Sequence, residues 1–442
     1  MQNPRYVAFK ALLKIEEEKA YSNLTLDSAL KNADMMPVDK AFASSLFYGV
    51  LEKQITLDYI ISRFSKIKPN KIDTKTYVIL RMALYQIAFM DKVPSSAAVN
   101  EAVKLCKKER LYQSSGFVNA LLRNAAKSDL LTVLPSEKDQ VKFLSVKYSC
   151  PEWLVKLWVK DYGKKVCEDI LESLDGKPPV YIRVNTLTTN TAELTKKLVA
   201  SGIEVKPVQG FANALEIKNF GSLGENVQYL QGMFYVQDLA SQICCEILNA
   251  QPGDIVSDVC SAPGGKSFTA AVRMCGKGIV YSYDIYPHKI KLIEDTAERL
   301  GINNIKVSLR DALSDIPLNE SDKIICDVPC SGLGVLRRKP EIRYKEDTGI
   351  NSLPDIQLKI LENTAKYLKS GGVLVYSTCT LNKEENSGVV NRFLSAHTDF
   401  EPCQIILPNG IKRTIDEPVH MLTLFPQTNN TDGFFICTIK KR

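Results

Sequence analysis

Two cysteines at the ends of two apolar runs carry the most specific chemistry in this sequence. Ile324-Ile325-Cys326-Asp327-Val328-Pro329-Cys330 and Val375-Tyr376-Ser377-Thr378-Cys379 each read as a strand that delivers a thiol. A lone cysteine is usually an inert small apolar residue. Two at neighbouring strand ends are harder to assign to packing. A thiolate can add to carbon 6 of a cytosine and turn carbon 5, a poor nucleophile, into an enamine that takes an electrophilic methyl group. The carbon 5 proton must then leave and the thiol be eliminated. Such a thiol must be partly ionised, which nearby cations favour, and Lys266 is a candidate for that charge. Asp327, protonated or hydrogen-bonded to ring N3 and the exocyclic amine, would stabilise charge developing on the ring.

A methyl donor needs its own site. Asp258-Val-Cys260-Ser261-Ala262-Pro263-Gly264-Gly265-Lys266 follows the apolar Ile255-Val256 and leads into Phe268-Thr-Ala-Ala-Val. That is a strand, a glycine turn and a helix start, which aims backbone N–H groups at a ligand. Gly-Lys-Ser suggests a phosphate-binding P-loop, but that pattern wants Gly at the position of Cys260. An acidic residue closing the next strand, Asp284, can accept from both ribose hydroxyls. Asp311, after the third strand, can accept from an adenine amino group. Together these acids suit an adenosyl cofactor; any one alone would more often be a cap or a surface residue.

These residues need a sheet that brings strand ends together. From residue 232 the pattern alternates strand and helix, with strands expected at Ile255–Val259, Gly278–Asp284, Ile305–Ser308, Lys323–Asp327 and Gly372–Ser377, and an antiparallel one near Gly433–Thr438. Repeated βα units imply a mostly parallel, doubly wound, Rossmann-like α/β domain over residues 232–442, with ligands at the carboxyl ends of its strands. Residues 1–126 read as an all-α domain, with Asp73 and Ser95 as helix caps. A linker is expected over 127–138. Residues 139–231 read as a small α+β module with helices Val141–Tyr148 and Pro151–Tyr162. The chain is thus multidomain.

Two resemblances attach to these residues. Arg5…Ala8…Leu12, Val93-Pro94, Asn100-Glu101-Ala102-Val103 and Phe117-Val118-Asn119, in that order, resemble the RNA-binding NusB family over about the first 125 residues. Asp258…Pro-Gly-Gly-Lys266, Asp327-Val-Pro-Cys330, Ser377-Thr-Cys379 and Glu384-Glu385-Asn386 resemble the NOL1/NOP2/Sun family of RNA cytosine-5 methyltransferases over residues 232–442. Ser261 and Val328 stand where that family often has Ala, without loss of a polar group. The second resemblance implies Cys379 as nucleophile and Cys330 as the residue that assists product release. It also implies S-adenosyl-L-methionine held by Cys260 to Lys266, Asp284, Asp311 and Asp327. The residues alone leave open which cysteine attacks. A NusB-like domain in front resembles the branch that methylates a cytosine of 16S rRNA, against a tRNA enzyme or a non-catalytic RNA-binding assembly protein. In RNA-modifying enzymes a module carrying a segment like Arg183-Val-Asn185 precedes the catalytic domain, so Arg183 and Asn185 are expected to touch RNA. Arg337, Arg338 and Arg343 follow the Cys330 turn and suit phosphate contacts.

Composition agrees with an RNA partner. Hydrophobic residues make up 45% and charged residues 24%, as in a soluble globular chain with real cores. The whole net charge of +7 falls within residues 1–138. A basic domain joined to a neutral one suits a polyanion-binding arm; a solvated helical face would have the same charge. Twelve irregularly spaced cysteines without an export signal argue for reduced thiols, and three histidines argue against a metal site. No membrane span is expected, and a cytoplasmic monomer is.

Overall fold

The computed structural model describes residues 2–18, 22–314, 319–344 and 347–442. They fall into two compact units, Met1–Asp175 with Arg338–Lys345, and Gly176–Arg337 with Glu346–Arg442. No helix among the described residues is long and apolar enough to cross a membrane.

The first unit is helical. Its helices are Pro4–Glu18, Ser22–Lys31, Pro37–Glu52, Gln54–Phe64, Thr74–Phe89, Ser95–Lys108, Tyr112–Ala125, Gln140–Tyr148 and Glu152–Ser173. Phe9, Leu46, Phe47 and Leu57 are buried in one core. Asp73 caps its helix as expected, accepting from Thr76 N at 2.9 Å. Ser95 does not cap. Pro94 holds the cap position and Ser95 is the first helical residue.

The helices at 140–173, grouped above with the middle module, pack within this compact unit. Ile55 N donates to Ser149 Oγ at 2.9 Å, and Leu144, Val155 and Trp158 are buried. Their spacing announces an apolar face; which neighbour covers that face is a tertiary fact. The long helix breaks at Gly163 (φ +80°), one residue past the expected end at Tyr162.

The second unit holds two sheets. The smaller contains β1 (Val180–Val184), β2 (Glu204–Pro207), β3 (Ala214–Lys218) and β4 (Phe234–Val236), in the order β2-β3-β1-β4 with antiparallel pairing. Because β4 pairs with β1, the small sheet runs past residue 231, where the alternation pattern placed the module's end. The larger contains β5 (Ile255–Asp258), β6 (Ile279–Asp284), β7 (Ile305–Leu309), β8 (Ser321–Asp327), β9 (Leu368–Thr378), β10 (Phe400–Pro402), β11 (Met421–Leu424) and β12 (Phe434–Lys441). Its order is β10-β12-β9-β8-β5-β6-β7, with β11 on β12. The strands β5 to β9 pair in parallel and β12 runs antiparallel to β9. Ile324, Ile325, Cys326, Leu374, Val375 and Tyr376 are all buried, as strands covered on both faces require.

The chain moves outward from β5 through β6 to β7, then returns to the other side of β5 as β8 and β9. The order therefore reverses between β5 and β8, and a crevice opens at their carboxyl ends. Those ends are Asp258 and Asp327.

Candidate active site

Strand register assembles the site. Asp327 pairs with Ser377 across β8 and β9, and Ser377 Oγ donates to Asp327 Oδ1 at 2.6 Å. Three residues beyond Asp327 lies Cys330, and two beyond Ser377 lies Cys379. Their sulfurs stand 3.1 Å apart. The Cys330 thiol is held well above its ordinary range, first by its hydrogen bond with Cys379 and then by burial, and Glu385 pushes the same way. At that distance either sulfur can donate its S–H to the other.

The backbone behind the thiols is tightly constrained. Gly334 N donates to Cys379 O at 2.9 Å, and Gly433 N donates to Gly334 O at 2.9 Å. A Cβ at Gly334 would lie 1.8 Å from Gly433 O and 2.8 Å from Cys379 O, so only glycine fits.

Lys266 lies on the helix Gly265–Arg273. Its Nζ donates to Asp327 Oδ2 at 2.7 Å and lies 5.2 Å from the centre of the Phe434 ring. Burial alone would lower the lysine, but Asp327 outweighs it and keeps Lys266 charged. The ammonium is therefore engaged by Asp327.

The loop between β5 and that helix has the form a ligand cradle needs. Ser261 N and Oγ both donate to Tyr283 O, at 2.8 and 2.9 Å, and Gly264 N donates to Ser261 O at 2.7 Å. Gly264 takes φ +103°, and a Cβ there would meet the Phe268 ring at 2.3 Å. Asp284, buried at the end of β6, accepts from Ala262 N at 3.3 Å and from Tyr286 N at 3.2 Å. Asp311 is exposed after β7, where its Oδ1 accepts from Leu313 N at 2.9 Å. A cavity of about 170 Å³ is lined by Asp258, the Cys260–Pro263 loop, Gly265, Lys266 and Asp327 on one side and by Val236–Asp238 and Ser241 on the other.

An adenosyl cofactor with a cationic amino-acid end fits this cradle. Asp258 is 1% exposed, and its Oδ1 has no hydrogen-bond partner among the described residues. Its other oxygen accepts from Ser267 Oγ at 2.6 Å. Burial pushes the carboxyl up to about 7, with the Ser267 hydrogen bond working against it. A buried orphan acceptor of this kind is costly unless a donor or cation arrives.

Gln237, Asp238, Ser241 and Gln357 were not singled out from the sequence. Asp238 caps the helix Leu239–Leu248 by accepting from Ala240 N at 2.9 Å. An Asp directly before an apolar helical run is a readable cap.

Three of the residues expected at the RNA are buried. Arg183 is 3% exposed and pairs with Glu246 at 2.8 Å. Asn185 is 0% exposed, and its Nδ2 donates to Gly232 O at 2.9 Å and Leu300 O at 2.7 Å. Both fasten the small sheet to its surroundings. Arg343 is 1% exposed within the helical unit, where Nη1 donates to Glu52 O at 3.1 Å. Arg337 and Arg338 are half-buried.

Comparison with known proteins agrees with this geometry. Three family models match: 16S rRNA methyltransferase RsmB/F over residues 245–440, NusB family over residues 2–127, and a RsmF/B-like ferredoxin-like domain over residues 150–223. The chain is 36% identical to the probable ribosomal RNA small subunit methyltransferase B of Bacillus subtilis, over 99% of this chain and 98% of that one. It is 34% identical to the protein of the same name from Synechocystis, with 100% of each covered. The crystal structure of PH0851 superposes with a TM-score of 0.83 at 26% identity, covering 100% of this chain and 99% of that one. A chain with this sheet order, this thiol pair and full-length relatives of one name belongs to the RsmB/F family of methyltransferases, with NusB-family and ferredoxin-like domains ahead of its catalytic sheet.

Proposed function

We propose that this protein methylates carbon 5 of a cytosine in 16S rRNA, using S-adenosyl-L-methionine, through a covalent bond between Cys379 and carbon 6. The observation that carries the reading is the pair of thiols 3.1 Å apart at the ends of adjacent strands, beside the Lys266–Asp327 ion pair. The names of the full-length relatives support rRNA of the small subunit as the substrate.

The cofactor would be held by the Cys260–Lys266 backbone, with Asp284 at the ribose, Asp311 at the adenine, and Asp327 nearby. The cationic amino-acid end would meet Asp258. When bound, S-adenosyl-L-methionine supplies the electrophilic methyl group that carbon 5 takes.

The chain's own residues supply the rest. Cys379 Sγ gives an electron pair to carbon 6, and the ring double bond becomes nucleophilic at carbon 5. Asp327, ion-paired to Lys266, offers acceptor lone pairs that suit the exocyclic amine; Lys266 is then the donor for ring N3. After methylation the carbon 5 proton passes to a base. The sulfur–carbon bond breaks and its electrons return to Cys379, with Cys330 assisting this release. The base must leave its helix to reach the thiols, so an unpaired or flipped cytosine is the target. Arg337 and Arg338 would contact phosphates.

The test is methyl transfer from labelled S-adenosyl-L-methionine to unmodified 16S rRNA transcript, followed by bisulfite mapping. Product at a single cytosine carbon 5 supports the reading. Label on another atom, or only on tRNA, overturns it.

A further inference from the structure

Glu385 and Asn386 are consecutive residues of a π-helical turn, Glu384–Gly388. Within it Gly388 N donates to Lys383 O at 2.9 Å. Such turns are rare and recur at functional sites, because the extra residue redirects adjacent side chains. Here each of the two serves a different thiol.

Glu385 is 0% exposed. Its carboxylate accepts from Ser331 N at 2.9 Å, Gln357 Nε2 at 2.9 Å, Asn382 Nδ2 at 3.0 Å, and the Ser331 hydroxyl. Gln357 Nε2 also donates to Pro329 O at 2.9 Å. Both neighbours of Cys330 are thus tied to one carboxylate, Ser331 directly and Pro329 through Gln357. Asn386 is 2% exposed. Its Oδ1 accepts from Thr378 Oγ1 at 2.5 Å, and its Nδ2 donates to Thr380 O at 3.0 Å. Thr378 and Thr380 flank Cys379. The Ser331 and Thr380 hydroxyls, 2.7 Å apart, join the two halves.

We propose that Glu385 and Asn386 are positioning residues that together set the separation of the two thiols, Glu385 acting through Cys330 and Asn386 through Cys379. The assignment of separate roles rests on the reading above, in which Cys379 attacks and Cys330 assists release. A buried carboxylate that accepts from several donors is rigid, since any movement of the Cys330 loop strands a charge. Glu385→Gln keeps the volume but turns an N–H₂ group toward other donors. The Cys330 loop must then shift, while Asn386 still holds Cys379. Asn386→Ala does the reverse.

The experiment uses the full chain with unmodified 16S rRNA transcript and methyl-labelled S-adenosyl-L-methionine. Turnover, the fraction of enzyme trapped as denaturation-resistant RNA adduct, and thermal unfolding are measured. Glu385→Gln is expected to cut turnover about 100-fold, the scale of a misplaced catalytic group, while raising the trapped fraction. Gln357→Met is expected to do the same more weakly, and keeps the test open if the first variant does not fold. Asn386→Ala is expected to lower turnover with no rise in adduct. Parallel loss of adduct and turnover in Glu385→Gln and Gln357→Met, or no change in either variant, overturns the inference. Cys330→Ala is the control for the reading beneath it: no adduct from Cys330→Ala means that the roles of the two cysteines are wrong.

Discussion

Lys266 Nζ and Asp327 Oδ2 lie 2.7 Å apart, joining the helix after β5 to the end of β8 across the point where strand order reverses. The pair has side-chain exposures of 11% and 28%, so it sits at the floor of the crevice with some access to solvent. Attraction there is stronger than in bulk water, and so is the penalty for losing one partner.

Lys266→Met should therefore destabilise the chain by about 3 kcal/mol, the low end for a broken buried pair because Asp327 keeps some solvent. Urea unfolding measures it. Methyl transfer should fall as well, since the donor for ring N3 is gone. A variant as stable as the parent would show that the pair is not held as tightly as its distance implies.

Cys379→Ala should abolish both methyl transfer and RNA adduct. Cys330→Ala should instead leave a long-lived adduct that survives a denaturing gel. If the adduct persists without Cys379 and vanishes without Cys330, the roles are exchanged.

Asp258 makes stability depend on pH. Its carboxyl is raised from an ordinary 3.8 to about 7 by burial. A raised carboxyl contributes stability that is complete below the unfolded value and is lost as pH rises through the folded one. The cofactor-free chain should thus lose melting temperature between about pH 4 and pH 7, and Asp258→Asn should flatten that decline. Stabilisation by S-adenosyl-L-methionine should grow over the same interval, as the ionised carboxylate meets the cofactor's ammonium. A decline of equal slope in parent and variant would remove Asp258 as its cause.

Arg183→Met separates structure from RNA contact. Glu246 keeps Arg273 as a second partner, so the cost should be modest, about 1–3 kcal/mol. The dependence of RNA affinity on salt should keep its slope, because no phosphate contact is lost. A slope reduced by about one would restore Arg183 as an RNA ligand.

Gly334→Ala should be worse than its size suggests. The new methyl would meet Gly433 O at 1.8 Å and push on the carbonyl of Cys379. A displacement of about 1 Å at a catalytic group can cost about 100-fold in rate, which steady-state turnover would read directly.

Much of this architecture was legible in the chain. The βα alternation after residue 232 announced a parallel sheet, and the strands appear within a few residues of where the apolar runs put them, because a strand covered on both faces must be apolar throughout. The helical first unit followed from its periodicity and from caps such as Asp73. Boundaries between domains were less legible. Strand β4 joined the small sheet, not the alternating strands that follow it, because an apolar stripe does not name its partner.

The chain's residue types and their spacing determined the chemistry available here: two thiols, a glycine turn, and acids at successive strand ends. Tertiary structure alone decided which of those groups meet. Parallel register between β8 and β9 set two thiols 49 residues apart in contact. Packing also brought Lys266 to Asp327 and buried Arg183, Asn185 and Arg343. Contact and burial depend on which strands and helices become neighbours, and that is fixed by packing over the whole unit rather than by any local run of sequence.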